Sequence, residues 1–400
     1  MNDGTNEYLQ AGTPAFRRAR IGLFAAGFST FATLYCVQPL MPEFARDFAV
    51  SPAQSSLALS LSTGFLAVAM LVAGAVSDGI GRKPVMVASL LASGLLGITA
   101  GLAPDWHWLL LVRALEGVAL SGLPAVAMAY VAEEVDPRAA GVTMGLYIGG
   151  TALGGMSGRV LTALVADVSS WRAAVVTVGV LGLVAAGWVA AGLPASRRFM
   201  RRAAGRRELV ESWRRHLGDP GLLALFAMGF LTMGAFVTVY NYAGFRLAAA
   251  PFDLRPAVVG TIFLVYLAGV VGSPWFGGLA GRLGQGRVLT AAVGLTLAGL
   301  ALMLPPWLPT MTVGLALFTF AFFGAHSIAS GWIGQRAKVA RGQASAMYLF
   351  CYYMGSTVAG TGGGLFWSGF GWPGVAGFVA VLLGAAVVVA WRLGRMAPPR

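Results

Sequence analysis

Charge is what this sequence has little of. Asp, Glu, Lys and Arg make up 11% of its 400 residues while hydrophobic residues make up 57%, and a chain so composed cannot solvate a globular surface. Cysteine is scarcer still. Cys36 and Cys351 both sit inside apolar runs, which argues against a structural disulfide and against a thiolate metal site. The histidines, His107, His216 and His326, are scattered without the spacing of ligands on one helix. No GxxxxGK[ST] phosphate loop occurs, so nothing calls for ATP, and no cofactor is expected. An enzymatic reading lacks its residues, because no intramembrane nucleophile can be paired with a base. Basic residues outnumber acidic ones, 28 to 15, but lie in short pieces between apolar runs rather than on one patch. That distribution fits membrane topology and not nucleic acid. The first twenty residues, MNDGTNEYLQAGTPAFRRAR, have neither the apolar core nor the cleavage site of a secretory signal.

What the chain has instead is long apolar runs. About 20 such residues cross a bilayer as a helix, and twelve spans are predicted: 20-41, 54-77, 84-103, 107-132, 140-164, 172-193, 220-244, 257-279, 288-304, 310-330, 343-366 and 372-391. The expected fold class is therefore an all-α membrane protein of two six-helix bundles. A tail at 1-19 precedes the first bundle at 20-193, a basic loop fills 194-219, the second bundle takes 220-392, and a tail closes the chain at 393-400. An even number of spans puts both termini on one side. With that side cytoplasmic, 22 of the 28 Lys and Arg fall in cytoplasmic segments, as the positive-inside rule requires. The central loop carries RRFMRRAAGRRELVESWRR, which reads as a solvated, topology-setting linker or as an amphipathic segment on anionic headgroups.

The stretch GAVSDGIGRKPV at 74-85 closes one run and opens the next. Glycines permit a tight connection there, and Asp78 and Arg82, four residues apart, can pair. The halves repeat each other. GGLAGRLG at 277-284 copies the frame of GAVSDGIG at a shift of 203, with Gly281 in the place of Asp78. Gly150, Thr151 and Gly155 correspond to Gly355, Ser356 and Gly360 at a shift of 205, and Trp171 to Trp372 at 201. Duplicated membrane bundles are the mark of alternating-access transporters.

Only one acid, Glu116, lies well inside an apolar run, three residues after Arg113 and on nearly the same helical face. A charge at that depth costs at least ~3 kcal/mol. Burial favours the neutral acid and the nearby arginine favours the carboxylate, so a rearrangement between them would move a proton. Glu116 with Arg113 is the first candidate for proton coupling, His326 the next. The alternatives are that Glu116 only neutralises Arg113 and that His326 is a packed histidine.

The frame G-x-x-x-D-x-x-G-R-K at Gly74, Asp78, Gly81, Arg82 and Lys83, its degenerate copy in the second half and the six-plus-six arrangement together resemble the major facilitator superfamily. LYCVQPLMP at 34-42, AHSIASGWIGQRAK at 325-338 and GQASAMYLF at 342-350 resemble its drug or sugar efflux branch. The resemblance implies that Asp78 faces the start of the eleventh span near Gly342 to Ser345. It implies too that Arg82 reaches acids at the end of the fourth, where Glu133, Glu134 and Asp136 stand. It further implies a substrate cavity lined by spans 1, 4, 7 and 10, which here supply Tyr35, Gln38, Arg113, Glu116, Asn241, Tyr242 and His326, with Tyr147, Tyr266, Tyr352 and Tyr353 beside them. Arg113 to Gly117 resembles the R-x-x-x-G element of proton-coupled exporters, with Glu116 where Gln is usual. GTALGG at 150-155 resembles an exporter signature whose proline is replaced by Thr151. The glycines of that span, Gly145, Gly149, Gly150, Gly154, Gly155 and Gly158, permit close helix approach, and Arg159, one turn further out, is expected to line the outer mouth or to bind a lipid headgroup.

The expected function is secondary export of a drug-like compound or sugar against inward proton flow. The expected partners are that small molecule, protons and the lipid bilayer, with no nucleic acid, and the chain is expected to work as a monomer. Proton-coupled uptake of a sugar or organic acid is the alternative, and a receptor or scaffold without flux is the alternative of another class.

Overall fold

The computed structural model describes residues 8-199 and 206-396. They fold almost wholly into helices. In chain order these are α1 (Pro14–Tyr35), α2 (Met41–Asp47), α3 (Pro52–Ser55), α4 (Leu57–Ile80), α5 (Arg82–Gly101), α6 (Trp106–Leu120), α7 (Pro124–Glu134) and α8 (Pro137–Val168). They continue with α9 (Trp171–Gly192), α10 (Arg206–Leu217), α11 (Pro220–Ala248), α12 (Pro256–Thr261), α13 (Tyr266–Leu283), α14 (Gln285–Leu302), α15 (Leu308–Arg336) and α16 (Arg341–Arg395).

Among the described residues, nine helical stretches are long and apolar enough to cross a membrane. The difference from the twelve expected runs has local causes. The run expected over 107-132 is broken between α6 and α7, because Pro124 has no N–H for the helical ladder and restricts the residue before it. Helix α8, 32 residues long, is diluted by the glycines at 141, 145, 149, 150, 154, 155 and 158 and is not among the nine. The last two runs are joined in α16, whose 55 residues would reach ~80 Å at ~1.5 Å each. That is far beyond one bilayer core of ~30 Å. The backbone leaves helical geometry inside it at Gly371 (φ 61°, ψ -147°), the boundary between the two expected runs.

Two termini differ from expectation as well. Helix α1 begins inside the expected tail, where Thr13 caps it by accepting the amide of Phe16 at 3.2 Å and Pro14 fits the first turn. The basic central loop contains the helix α10, in which Ser212 meets His216 at 3.2 Å while Arg214 and Arg215 stay exposed.

The chain forms two compact units. The first comprises 1-37 and 68-205, and the second 38-67 and 206-400. The outer end of the first span and the first half of the second thus cluster with the later helices.

Inside the first unit, α1 lies against α8 where glycine removes the side chain. A Cβ on Gly150, Gly154 or Gly158 would run into the backbone of Phe24, Phe28 or Ala32. The second unit repeats the device, since a Cβ on Gly355 of α16 would run into the backbone of Phe230 on α11. The related turns match too. Gly81 between α4 and α5 has φ 110°, and Gly284 between α13 and α14 has φ 90°, conformations that only glycine adopts without strain.

Candidate functional site: a charged loop and a buried ion pair

At the charged loop, the turn at Gly81 returns the chain so that Arg82, the first residue of α5, faces the last turn of α4 and the end of α7. Its Nη1 lies 2.7 Å from Oδ1 of Asp78. Its Nε and Nη2 donate to the two oxygens of Glu133 at 3.0 and 2.6 Å, a forked pairing that also fixes orientation. Ser77 Oγ accepts from the same guanidinium, and the ring of Phe199 covers it at 5.2 Å. Of the three acids expected near Arg82, Glu133 takes this role. Glu134 accepts the amide of Arg198 at 2.8 Å, and Asp136 caps α8 by accepting the amide of Arg138 at 2.8 Å. Lys83 is half-buried, and Gly74 has open space where a Cβ would stand.

Arg113 and Glu116 form an ion pair on α6, and both side chains are fully buried. Arg113 Nη1 donates to Glu116 Oε2, and its Nη2 donates to the carbonyl of Leu34 at 2.8 Å, with Thr33 O at 3.4 Å from Nη1. Both carbonyls belong to the last turn of α1, which ends at Tyr35. End carbonyls have no intrahelical donor, and a cation there also meets the negative pole of the helix. Thr162 Oγ1 supplies a third donor, to the carbonyl of Cys36 at 2.8 Å. The interruption of the first span at 36-37 is therefore held by α6 and α8.

The second oxygen of Glu116, Oε1, is buried with no hydrogen-bond partner in the protein. It lies beside the close contact of Gly97 on α5 with Gly179 on α9, since a Cβ on Gly97 would sit 3.3 Å from it and 3.1 Å from Gly179 Cα. The acid is therefore enclosed within the first unit. Arg159 on α8 is also fully buried: its Nη1 donates to the carbonyl of Gly155 at 2.7 Å, and its guanidinium lies over the ring of Tyr35 at 4.1 Å. The hydroxyl of Tyr147 is buried without a partner. A cavity of about 280 Å³ opens between α1, α8 and α9, walled by Phe28, Thr33, Ser157, Gly158, Val178 and Leu181.

In the second unit, two predicted residues meet. Gln38 Nε2 donates to Asn241 Oδ1 at 2.6 Å, and Asn241 Nδ2 has no partner in the protein. Tyr242 donates to the carbonyl of Gly360 at 3.0 Å, tying α11 to α16. His326 Nδ1 lies 2.9 Å from the hydroxyl of Tyr348, and the ring of Tyr352 lies 4.6 Å away, with Tyr353 edge-on to Tyr352 at 5.3 Å. Tyr266 joins an aromatic cluster with Phe236, Tyr240 and Phe323. Hydroxyls link α4 to α16, through Thr63 and Thr357 at 2.9 Å and Thr361 to Ser60 at 2.8 Å.

Comparison with known proteins gives the family of the chain. The profile of the Major Facilitator Superfamily matches residues 23-254, more than half of the chain. The chain is 44% identical over 390 residues to the MFS-type transporter YybF of Bacillus subtilis (strain 168), covering 98% of this chain and 96% of YybF. It is 45% identical over 390 residues to the inner membrane transport protein YnfM of Escherichia coli (strain K12), covering 98% and 94%. The chain belongs to the major facilitator superfamily. Its fold superposes on a bacterial homologue of the human lysosomal transporter Spinster, in an inward-facing and occupied conformation, with a TM-score of 0.77 at 14% identity. That alignment covers 97% of this chain and 98% of the other.

Within this superfamily fold, sequence reasoning singled out Arg113 with Glu116 and Arg82 with nearby acids, and the structure brings those groups together. It missed three partnerships. Tyr348 lies 22 residues from His326, in GQASAMYLF but without being singled out there, and the Gln38–Asn241 bond joins residues 203 apart that were named separately. Arg159, expected at the outer mouth or on a headgroup, is buried beside Tyr35. Its one sequence signal was being a charge in an apolar run.

Proposed function

We propose that this superfamily member is a secondary transporter of the bacterial inner membrane, with both termini cytoplasmic. It exports a small organic molecule, drug-like or sugar-sized, in exchange for inward-moving protons by alternating access. The observation that carries the coupling is Glu116, the one acid deep in an apolar run, with Oε2 on Arg113 and Oε1 without a partner. An unpaired carboxylate oxygen away from water favours a proton, whereas the guanidinium favours its absence. Any motion that alters the Arg113 contact therefore shifts the balance, and α1 is the element positioned to do so, since its last carbonyls share the same arginine. The orientation of the chain rests on the Lys and Arg distribution, and the inner-membrane location on the likeness to YnfM.

The Arg82 cluster would act as the cytoplasmic latch, because Arg82 ties α4, α5 and α7 together and breaking its forked contact with Glu133 releases α7 from the other two. Purified protein in proteoliposomes with a trapped pH dye tests the reading. Addition of the transported compound on the cytoplasmic face should drive protons the opposite way, and inverted vesicles should accumulate that compound when acid inside. Accumulation only in right-side-out vesicles would show uptake instead.

A further inference from the structure

We propose that the cavity between α1, α8 and α9 of the first unit is a binding site for an uncharged, membrane-dissolved alcohol, whose oxygen is taken by Ser29 and Thr33 and whose hydrocarbon body fills the remaining space. This goes beyond the transporter reading and requires neither export nor proton exchange. Ser29 and Thr33 stand four apart on α1 and so share one face. Both line the cavity and both are buried, at 6% and 2% exposure. A Ser or Thr hydroxyl on a helix can satisfy itself at the carbonyl one turn back. Thr30 does so, donating to the carbonyl of Ala26 at 2.9 Å. The hydroxyls of Ser29 and Thr33 make no hydrogen bond among the described residues, and neither does that of Ser157, which reaches the same cavity from α8. The two on α1 converge. A Cβ on Gly182 of α9 would lie 3.6 Å from Ser29 Oγ and 3.8 Å from Thr33 Oγ1, so the glycine keeps the space before both of them open.

The depth of these residues decides what can partner them. Ser29 and Thr33 flank the centre of the expected first span, 20-41, and Gly182 stands at the centre of the sixth, 172-193. The hydrocarbon core supplies no water to a hydroxyl, so a partner from outside the chain has to be dissolved in the lipid. The mouth of the cavity faces lipid: Leu181 on its wall is 51% exposed, and the large exposed residues that follow on α9, Val184 and Trp188, are apolar too. No charged side chain lines the wall, whose other members include Phe28, Leu161 and Val178. An ion would find no counter-charge there. A hydroxyl both donates and accepts, so an alcohol answers Ser29 and Thr33 in both senses, while a hydrocarbon answers them in neither. The volume sets the size. At ~30 Å³ for each non-hydrogen atom, the share of one water in the liquid, about 280 Å³ holds on the order of ten such atoms, as in a medium-chain alcohol.

The test uses the full chain in proteoliposomes of phosphatidylethanolamine and phosphatidylglycerol, photolabelled with a diazirine-bearing octanol and mapped by mass spectrometry. Label should fall within 28-33 of α1 or 178-185 of α9. There 1-octanol should protect about ten-fold better than nonane, which has as many non-hydrogen atoms, at equal concentration in the membrane. Octyltrimethylammonium should not protect. Ser29→Ala combined with Thr33→Val keeps the shape of the wall and removes both hydroxyls, and should bring octanol down to the level of nonane. Gly182→Ala should weaken protection by octanol without unfolding the chain, because its Cβ stands before both hydroxyls and meets nothing closer than 3.5 Å. If a variant does not fold, the wild-type comparison of octanol, nonane and the ammonium ion decides the matter. Label confined to other segments, equal protection by nonane, as a lipid chain in the cavity would give, protection by the ammonium ion, or an unchanged preference for octanol in the double variant would overturn the proposal. Protection by octanol in a protein that moves no protons would retain the site and refute the coupled-transport reading, so the two fail separately.

Discussion

At the scale of single residues, the charged loop makes the sharpest demands. Gly81 stands at φ 110°, so Gly81→Ala strains the turn whatever space surrounds it, and about 1–3 kcal/mol of stability should be lost. Thermal unfolding in detergent reads this as a lower midpoint. Arg82 and Glu133 share two hydrogen bonds in a mostly buried setting, and charge-assisted bonds contribute ~1.5–3 kcal/mol. A double-mutant cycle of Arg82→Ala and Glu133→Ala should return a coupling of that order, and additivity would show the fork to be absent in solution. This pairing was legible in part, because Arg82 was expected to find one of three acids. Which acid is decided by the end of α7: Glu133 remains for the arginine once Asp136 is used as the cap of α8 and Glu134 holds the backbone of Arg198. His326 shows the opposite case. Its partner, the Tyr348 hydroxyl, comes from another helix, and nothing in the local sequence pairs the two residues.

At the scale of elements, glycines set the two closest seams. Gly150 on α8 and Gly355 on α16 each face a backbone carbonyl, whereas Gly149 has open space. Gly150→Ala and Gly355→Ala should each destabilise by ~1–3 kcal/mol through overpacking. Gly149→Ala should be neutral or stabilising by up to ~1 kcal/mol, from helix propensity alone. Comparable losses at all three positions would mean that the seams are not set by glycine. The sequence named these glycines without distinguishing faces, since density shows that close approach is possible and not which residues use it.

A second prediction at this scale concerns acid. Asp219 caps α11 through the amides of Gly221 and Leu222 and takes Arg336 of α15 at 2.8 Å. Burial raises its affinity for a proton, but the Arg336 hydrogen bond and the two amides outweigh that and hold its carboxyl below the ordinary range. A depressed carboxyl contributes stability above its unfolded-state pKa and loses it as pH falls through the folded one. The stability difference between the native chain and Asp219→Asn should therefore be constant near neutral pH and shrink below about pH 4. A difference independent of pH through that range would remove the ionic part of this contact.

At the scale of the molecule, the duplicated organisation was legible because both halves keep the same frame. The turning glycines Gly81 and Gly284 lie 203 apart, and the seam glycines Gly150 and Gly355 lie 205 apart, each pair in like backbone surroundings. The contact units divide the chain differently from the expected bundles. Residues 38-67 cluster with the second unit although they precede most of the first in sequence. Long-range side-chain bonds such as Gln38 to Asn241 leave no periodic trace, so they could not have been read from the sequence.

The proposed coupling places the exchanged proton on Glu116. The most direct measurement compares wild type and Glu116→Gln in proteoliposomes for two processes, substrate-driven proton movement and substrate counterflow, which needs no net proton transfer. We predict that Glu116→Gln retains counterflow and loses proton movement and uphill transport. Proton movement at the wild-type rate in Glu116→Gln would contradict the account, leaving Glu116 as the structural counter-charge of Arg113.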